Sequence, residues 1–235
     1  MSKNPIICAI DTVDIEDAKS LITKIKPFVG AVKLGLEFFT ANGAEGVKAI
    51  EKLDMPIFLD LKFHDIPNTV AKAVKATAAL NVFMMTIHAS GGADMMRAAA
   101  DAALEAAATN GNQRPSIIGV TVLTSMDESD LRETGINHSP AGQAQKLAAL
   151  AQKSGLDGIV CSPHEASTLR QQCRGTFTLV TPGIRPAGST KGDQKRISSP
   201  KEAINAGSTY LVIGRPITKA PSPAAAAKEI LDSLA

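Results

Sequence analysis

Short runs rich in Val, Ile, Leu and Phe recur along the chain at 6–11, 31–35, 57–62, 83–88, 117–122, 158–161, 177–181 and 210–213. Each is too short for a buried helix and reads as a strand covered on both faces. Between the runs, apolar positions fall at spacings of three and four. Met96, Ala99, Ala103 and Ala107 form one such stripe, which predicts an amphipathic helix lying on the strands. Strands and helices therefore alternate, the pattern of repeated βα units and a parallel sheet. Eight repeats predict an α/β fold, a single (β/α)8 TIM barrel taken as one domain over residues 1–235.

Local punctuation agrees with that pattern. Ser139-Pro140, Ser162-Pro163 and Ser199-Pro200 each set a hydroxyl N-cap before a proline at the first helical position. Glu165 and Glu202 follow two of these serines by three residues, predicting two capping boxes. Gly155 and Gly207 stand where a left-handed residue would end a helix. The longest stretch without periodicity, Pro182 to Ser199, follows the seventh strand, and in a barrel such a loop belongs to the active-site face.

Composition removes several function classes. A 44% apolar and 20% charged chain is an ordinary folded protein. Its net charge of +2, with scattered lysines and arginines, argues against a nucleic-acid partner. No run approaches the ~20 apolar residues of a membrane span, and the N-terminal run ending at Asp11 is too brief for a signal peptide, so a cytoplasmic protein without membrane contact is expected. Cys8, Cys161 and Cys173 are an odd number with no CxxC spacing, which suggests neither disulfides nor a zinc site; Cys8 and Cys161 read as core residues.

Barrel chemistry collects at the C-terminal ends of the strands. The polar residues expected there are Asp11, Lys33, Asp60, Lys62, His88, Thr121, Thr124, Arg185 and Arg215. Asp60 and Lys62 are two apart and share the inward side of a strand, with Leu61 facing the helices. Charges at a barrel mouth need partners, because desolvating an isolated charge costs more than one contact returns. An alternating array of Lys33, Asp60, Lys62 and a further aspartate would hold both lysines as cations while keeping a negative charge beside any bound anion. A purely structural ion-pair network is the alternative for the same spacing. A second cluster joins Gly214-Arg215 after the last strand to Pro182-Gly183-Ile184-Arg185 after the seventh, where this fold commonly binds phosphate. Glycine admits backbone N–H groups and arginine offers a bidentate donor, although a solvated surface arginine fits the residue pair equally well. His88 reads as a hydrogen-bonded barrel histidine, Gly91-Gly92 as a tight turn, and His64 and His138 as surface residues. No His/carboxylate set has metal-ligand spacing.

The stretch Asp60-Leu61-Lys62-Phe63-His64-Asp65-Ile66-Pro67-Asn68-Thr69 resembles the DxKxxDIPxT signature of the orotidine 5′-phosphate decarboxylase family. Asp11, Val32-Lys33-Leu34-Gly35, His88 to Gly92, Thr121 to Thr124, Thr181 to Arg185, Gln194 and Ile213-Gly214-Arg215 follow in family-like order. The resemblance implies a cofactor-free, metal-free decarboxylation of orotidine 5′-phosphate to UMP and CO2, the last step of de novo pyrimidine nucleotide synthesis. It implies a catalytic set of Lys62, Asp60, Asp65 and Lys33. Asp11 and Lys33 would hold the ribose hydroxyls, Asp60 would lie against the substrate carboxylate, and Lys62 against the carbon that loses it. Thr124 would contact the pyrimidine side, Gln194 would bridge pyrimidine and phosphate, and Gly214 and Arg215 would grip the phosphate with Arg185 at the same end. Asp65 and Thr69 would reach into the site of a second subunit, making a homodimer.

Three other readings share some of these residues. A metal-dependent sugar-phosphate decarboxylase, aldolase or epimerase of the same barrel group has a DxKxxD strand, but would need another carboxylate near the end of the second strand. Lys33 stands there, with Glu37 close by in sequence. A Schiff-base aldolase would need a neutral Lys62, whereas flanking aspartates favour the ammonium. A non-enzymatic phosphate-binding barrel is open to the fold but has no need of so many charges on one strand end.

Overall fold

The computed structural model describes residues 4–173, 175–186 and 197–234. Its strands are β1 Ile6–Ile10, β2 Ala31–Leu34, β3 Ile57–Phe63, β4 Met84–His88, β5 Ser116–Val120, β6 Gly158–Val160, β7 Thr178–Thr181 and β8 Tyr210–Ile213. All pair in parallel and in chain order, and β8 returns to β1 with Val212 beside Ile7, closing the barrel. The helices are α1 Ile15–Ile25, α2 Leu36–Glu51, α3 Pro67–Ala78, α4 Ala93–Asn110, α5 Glu128–Glu133, α6 Pro140–Lys153, α7 Ala166–Gln172, α8 Pro200–Asn205, α9 Arg215–Thr218 and α10 Pro223–Asp232. Every expected strand is present, with ends within two residues of those read from the sequence.

The period of two along each strand sorts the core into two shells. Ile6, Cys8 and Ile10 point outward and join the large cluster between barrel and helices. Ile7, Ala9, Ala31, Phe58, Met84, Ile118, Val180 and Val212 fill the barrel interior. Fully burying such a side chain contributes roughly 1.5–3 kcal/mol, so the inner shell fixes the strand register tightly. Two residues further along, the same inward parity becomes polar: Ala9 leads to Asp11, Ala31 to Lys33, Phe58 to Asp60 and Met84 to Thr86. One periodicity thus sets both the apolar floor and the polar mouth.

Met95, Met96, Ala99 and Ala103 are buried along α4, and Ala106 rather than Ala107 completes the stripe. Ser139 and Ser199 cap their helices as expected, and Ser199 forms a full capping box with Glu202. Ser162 departs from expectation. The Glu165 carboxylate accepts from Ser162 N–H at 2.8 Å, but residues 163–165 close as a turn, with Glu165 N–H on the Ser162 carbonyl, and α7 starts only at Ala166. Gly155 and Gly207 take positive φ just past α6 and α8. The three cysteines are free and buried; burial pushes the thiols of Cys8 and Cys161 up to about 12 and raises that of Cys173. Among the described residues no helix is long and apolar enough to cross a membrane.

Candidate active site

The site begins with an irregularity in β3. Phe58 and Leu59 pair with Met84 and Met85, but the next pair is Phe63 with Ile87, so a four-residue step on β3 faces two residues on β4. The surplus is absorbed as a bulge. Lys62 sits in it at φ +51, a left-handed conformation that costs a side-chain-bearing residue about 1–2 kcal/mol. Strict alternation therefore does not run through this segment, contrary to the simple two-apart reading. Asp60 and Lys62 still line one cavity, and Leu61 packs against the outer core.

Thr86, fully buried on β4, holds the bulge. Its Oγ1 accepts from Lys62 N–H and donates to Asp60 Oδ1, both at 2.9 Å. Lys62 Nζ donates to the same Oδ1 at 3.0 Å, while Lys33 Nζ lies 3.4 Å from Oδ2. Side-chain exposures of 12%, 14% and 29% for Asp60, Lys33 and Lys62 leave little water to screen these charges. Burial pushes the Asp60 carboxyl up, but the charges of Lys33 and Lys62 and the hydrogen bonds from Lys62 and Thr86 outweigh it and hold Asp60 below the ordinary carboxylate range. The result is a carboxylate fixed between two cations.

This array opens on a cavity of ≈ 320 Å³ at the C-terminal mouth of the barrel, within the range of small-molecule sites. Asp11, Thr124, Gly183, Arg185, Gly214 and Arg215 line it together with the array, over a floor that includes Phe58, Val120, Val160, Val180 and Val212. Gly183 takes φ +78, a conformation that side chains rarely adopt. Arg185 is buried, with Nη1 on the Ile184 carbonyl at 2.9 Å. Its backbone N–H donates to Ser198 O at 2.9 Å, beside an Ile184–Ser198 bridge that ties the segment after β7 to the one before α8.

Other expected site residues stand elsewhere. Asp65 and Thr69 are exposed and line no part of the cavity; Asp65 Oδ1 accepts from Ile66 N–H at 2.7 Å, and Ile66 is itself 66% exposed. Thr121 spends its hydroxyl on Val160 O. His88 is half-buried and packs its ring on His64, with centroids 5.3 Å apart, so His64 is exposed without being an isolated surface residue. Burial, then the neighbouring His64 and Lys62, lowers the His88 pKa against the pull of Asp60. Glu37 is exposed on α2 and is not in the cavity wall, whereas Lys33 is. Gln194 lies outside the described residues. Among the described residues no three His, Cys, Asp or Glu side chains cluster as metal ligands. Sequence reasoning missed Thr86, although its parity with Met84 and His88 and its strand position beside Asp60 would have marked it.

Chemically, one wall offers a fixed ammonium beside a fixed carboxylate, and the opposite wall offers the glycine and arginine donors suited to an anion.

Known proteins carry the same pattern. The family model described as orotidine 5′-phosphate decarboxylase / HUMPS family matches residues 4–230. The orotidine 5′-phosphate decarboxylase of Pectobacterium carotovorum subsp. carotovorum (strain PC1) is 53% identical over 231 residues, 98% of this chain and 92% of that protein. That of Vibrio parahaemolyticus serotype O3:K6 (strain RIMD 2210633) is 51% identical over 235 residues, 100% of this chain and 99% of its own. The crystal structure of orotidine 5′-phosphate decarboxylase from Lactobacillus acidophilus superposes with a TM-score of 0.87 at 38% identity, over 99% of both chains. An uncharacterized conserved protein from Geobacillus kaustophilus superposes at 0.84 with 35% identity, over 98% of this chain and 100% of that one.

Proposed function

The chain belongs to the orotidine 5′-phosphate decarboxylase / HUMPS family, and on that premise we propose that it converts orotidine 5′-phosphate to UMP and CO2 without a cofactor. It is an enzyme, a carboxy-lyase of pyrimidine biosynthesis. The observation that carries this reading is the Lys33–Asp60–Lys62 array facing, across one cavity, the Gly214 and Arg215 wall.

In this reading the phosphate rests on Arg215, the Gly214 backbone and Arg185, and Asp11 and Lys33 hold the ribose hydroxyls. Thr124 meets the pyrimidine over the valine floor, and Gln194 bridges pyrimidine and phosphate from the loop after β7. The substrate carboxylate lies toward Asp60 and C6 toward Lys62. The bond between C6 and the carboxylate breaks, CO2 departs, and the electron pair stays in an sp2 orbital on C6, perpendicular to the ring π system. Conjugation cannot reach that orbital directly. The Lys62 ammonium can, because it is already fixed by Asp60, and it then passes a proton to C6 and regains one from solvent. Each tenfold in rate corresponds to about 1.4 kcal/mol of preference for this transition state over the bound substrate. Closure of the loop after β7 on the phosphate would turn remote binding energy to that end.

A homodimer with Asp65 and Thr69 contributed across the interface belongs to the same reading. The exposure of Asp65, Ile66 and Thr69 on one chain supports it, since a second copy would cover them. Mixing equal amounts of Lys62→Ala and Asp65→Ala subunits should restore about a quarter of wild-type activity, because half the re-formed dimers would hold one intact site; no recovery after subunit exchange would place Asp65 in its own chain's site. We infer a cytoplasmic enzyme acting as one barrel domain. Lys33, where a metal-dependent relative would need a carboxylate, supports the cofactor-free form over the sugar-phosphate alternative.

The test is the fall in pyrimidine ultraviolet absorbance when chelator-treated protein meets orotidine 5′-phosphate, with UMP identified as product. No change at any enzyme concentration, together with turnover of a pentulose phosphate once magnesium is added, would overturn the reading.

A further inference from the structure

We propose that Thr86 is a positioning residue for the reaction, its one hydroxyl tying the Asp60 carboxylate and the Lys62 backbone into a single unit. The reaction it serves rests on the decarboxylase reading; the tie itself rests on geometry. Past Leu59 the ladder between β3 and β4 resumes only at Phe63, and Thr86 Oγ1 takes the Lys62 N–H that lies in the gap. A backbone N–H can only donate, so the hydroxyl oxygen must accept there and its single proton must point to Asp60 Oδ1. The bridge therefore runs in one sense, with Asp60 Oδ1 as its acceptor, and the cations Lys33 and Lys62 on either side favour Asp60 as the carboxylate, the stronger acceptor. Because Lys62 Nζ bonds the same oxygen, backbone and ammonium of Lys62 are both referenced to one atom.

The bulge makes this necessary. Lys62 holds a left-handed conformation that the chain would otherwise leave, and leaving it would swing the ammonium away from the cavity. Asp60 is faced by Lys33 from β2, by Lys62 from its own strand, and by Thr86 and the titratable ring of His88 from β4. Thr86 is the member of that set that cannot titrate, so its loss changes hydrogen bonding without removing a charge. Valine at position 86 would keep the volume and lose both bonds; serine would keep both.

The experiment compares wild type, Thr86→Val and Thr86→Ser by steady-state kinetics on orotidine 5′-phosphate across pH. Alongside, carbon-13 NMR titrates the Asp60 carboxyl in aspartate-labelled protein. The expected result for Thr86→Val is a kcat lower by about 10- to 100-fold with KM changed less. The Asp60 titration and the acidic limb of kcat/KM should both move to higher pH. Thr86→Ser should stay within about threefold of wild type on the same scale. Wild-type kcat and acidic limb in Thr86→Val would overturn the proposal, as would Thr86→Ser as slow as Thr86→Val with Asp60 unshifted in both, which marks a packing role alone. Should Thr86→Val fail to fold, Thr86→Cys, with its weak S–H donor, replaces it under the same criteria. A wild type without turnover would sink the decarboxylase reading, while the NMR titration would still decide whether Thr86 governs Asp60.

Discussion

The two walls of the cavity are built on opposite principles. On the side of β2, β3 and β4, Lys33, Asp60, Lys62 and Thr86 satisfy one another before any ligand arrives. On the side of β7 and β8, the lining is Gly183, Arg185, Gly214 and Arg215, small residues and guanidinium groups shaped to receive an anion. The first wall is preorganised, so its electrostatics are available to a transition state without rearrangement. In the proposed reaction the second would supply binding energy at a distance from the bond that breaks. Damage to the first wall should therefore appear in kcat with KM little changed, and damage to the second in KM together with a smaller loss of kcat.

The largest separation should come from Lys62→Ala. Removing the fixed cation that is also the proposed proton donor should lower kcat by roughly 10⁴-fold or more in a decarboxylation assay. A retained kcat would break the distinction at once. Next, Asp60→Ala would leave Lys33 and Lys62 facing each other without a counter-ion, and breaking such a partly buried pair should cost about 3–5 kcal/mol of folding stability in denaturant titrations. Arg215→Ala should raise KM by about 10- to 100-fold with a smaller fall in kcat, because the proposed charge-assisted contact to phosphate would be lost. The smallest effect concerns pH. Asp60 is held below its ordinary value of 3.8, so its contribution to stability is complete above that value and is lost as pH falls through the lower folded one. Acid unfolding of Asp60→Asn should therefore lack that part of the slope, and an unchanged slope would contradict the ion pairing described.

Most of the fold was legible because strand parity and hydrophobic run length are local: Ile7, Ala9, Phe58 and Met84 face inward as their spacing requires. The ionic cluster was legible for the same reason, since Lys33 and Asp60 continue that parity. The bulge was not. It depends on Phe63 finding Ile87 across the sheet, a pairing between strands that no single-strand pattern encodes. Thr86 was missed because a threonine between Met85 and Ile87 in an apolar strand looks like strand propensity. Ser162 and Glu165 show the reverse failure, in which correct cap residues make their bond and the helix still starts later. Asp65 and Thr69 drew their role from family resemblance, and one chain leaves them exposed.

The most direct test is decarboxylation of orotidine, which keeps the ring and carboxylate but lacks the phosphate, by wild type, Lys62→Ala and Arg215→Ala. Slow turnover by wild type is expected, with the same rate for Arg215→Ala and none for Lys62→Ala. Wild-type turnover of orotidine by Lys62→Ala would contradict it.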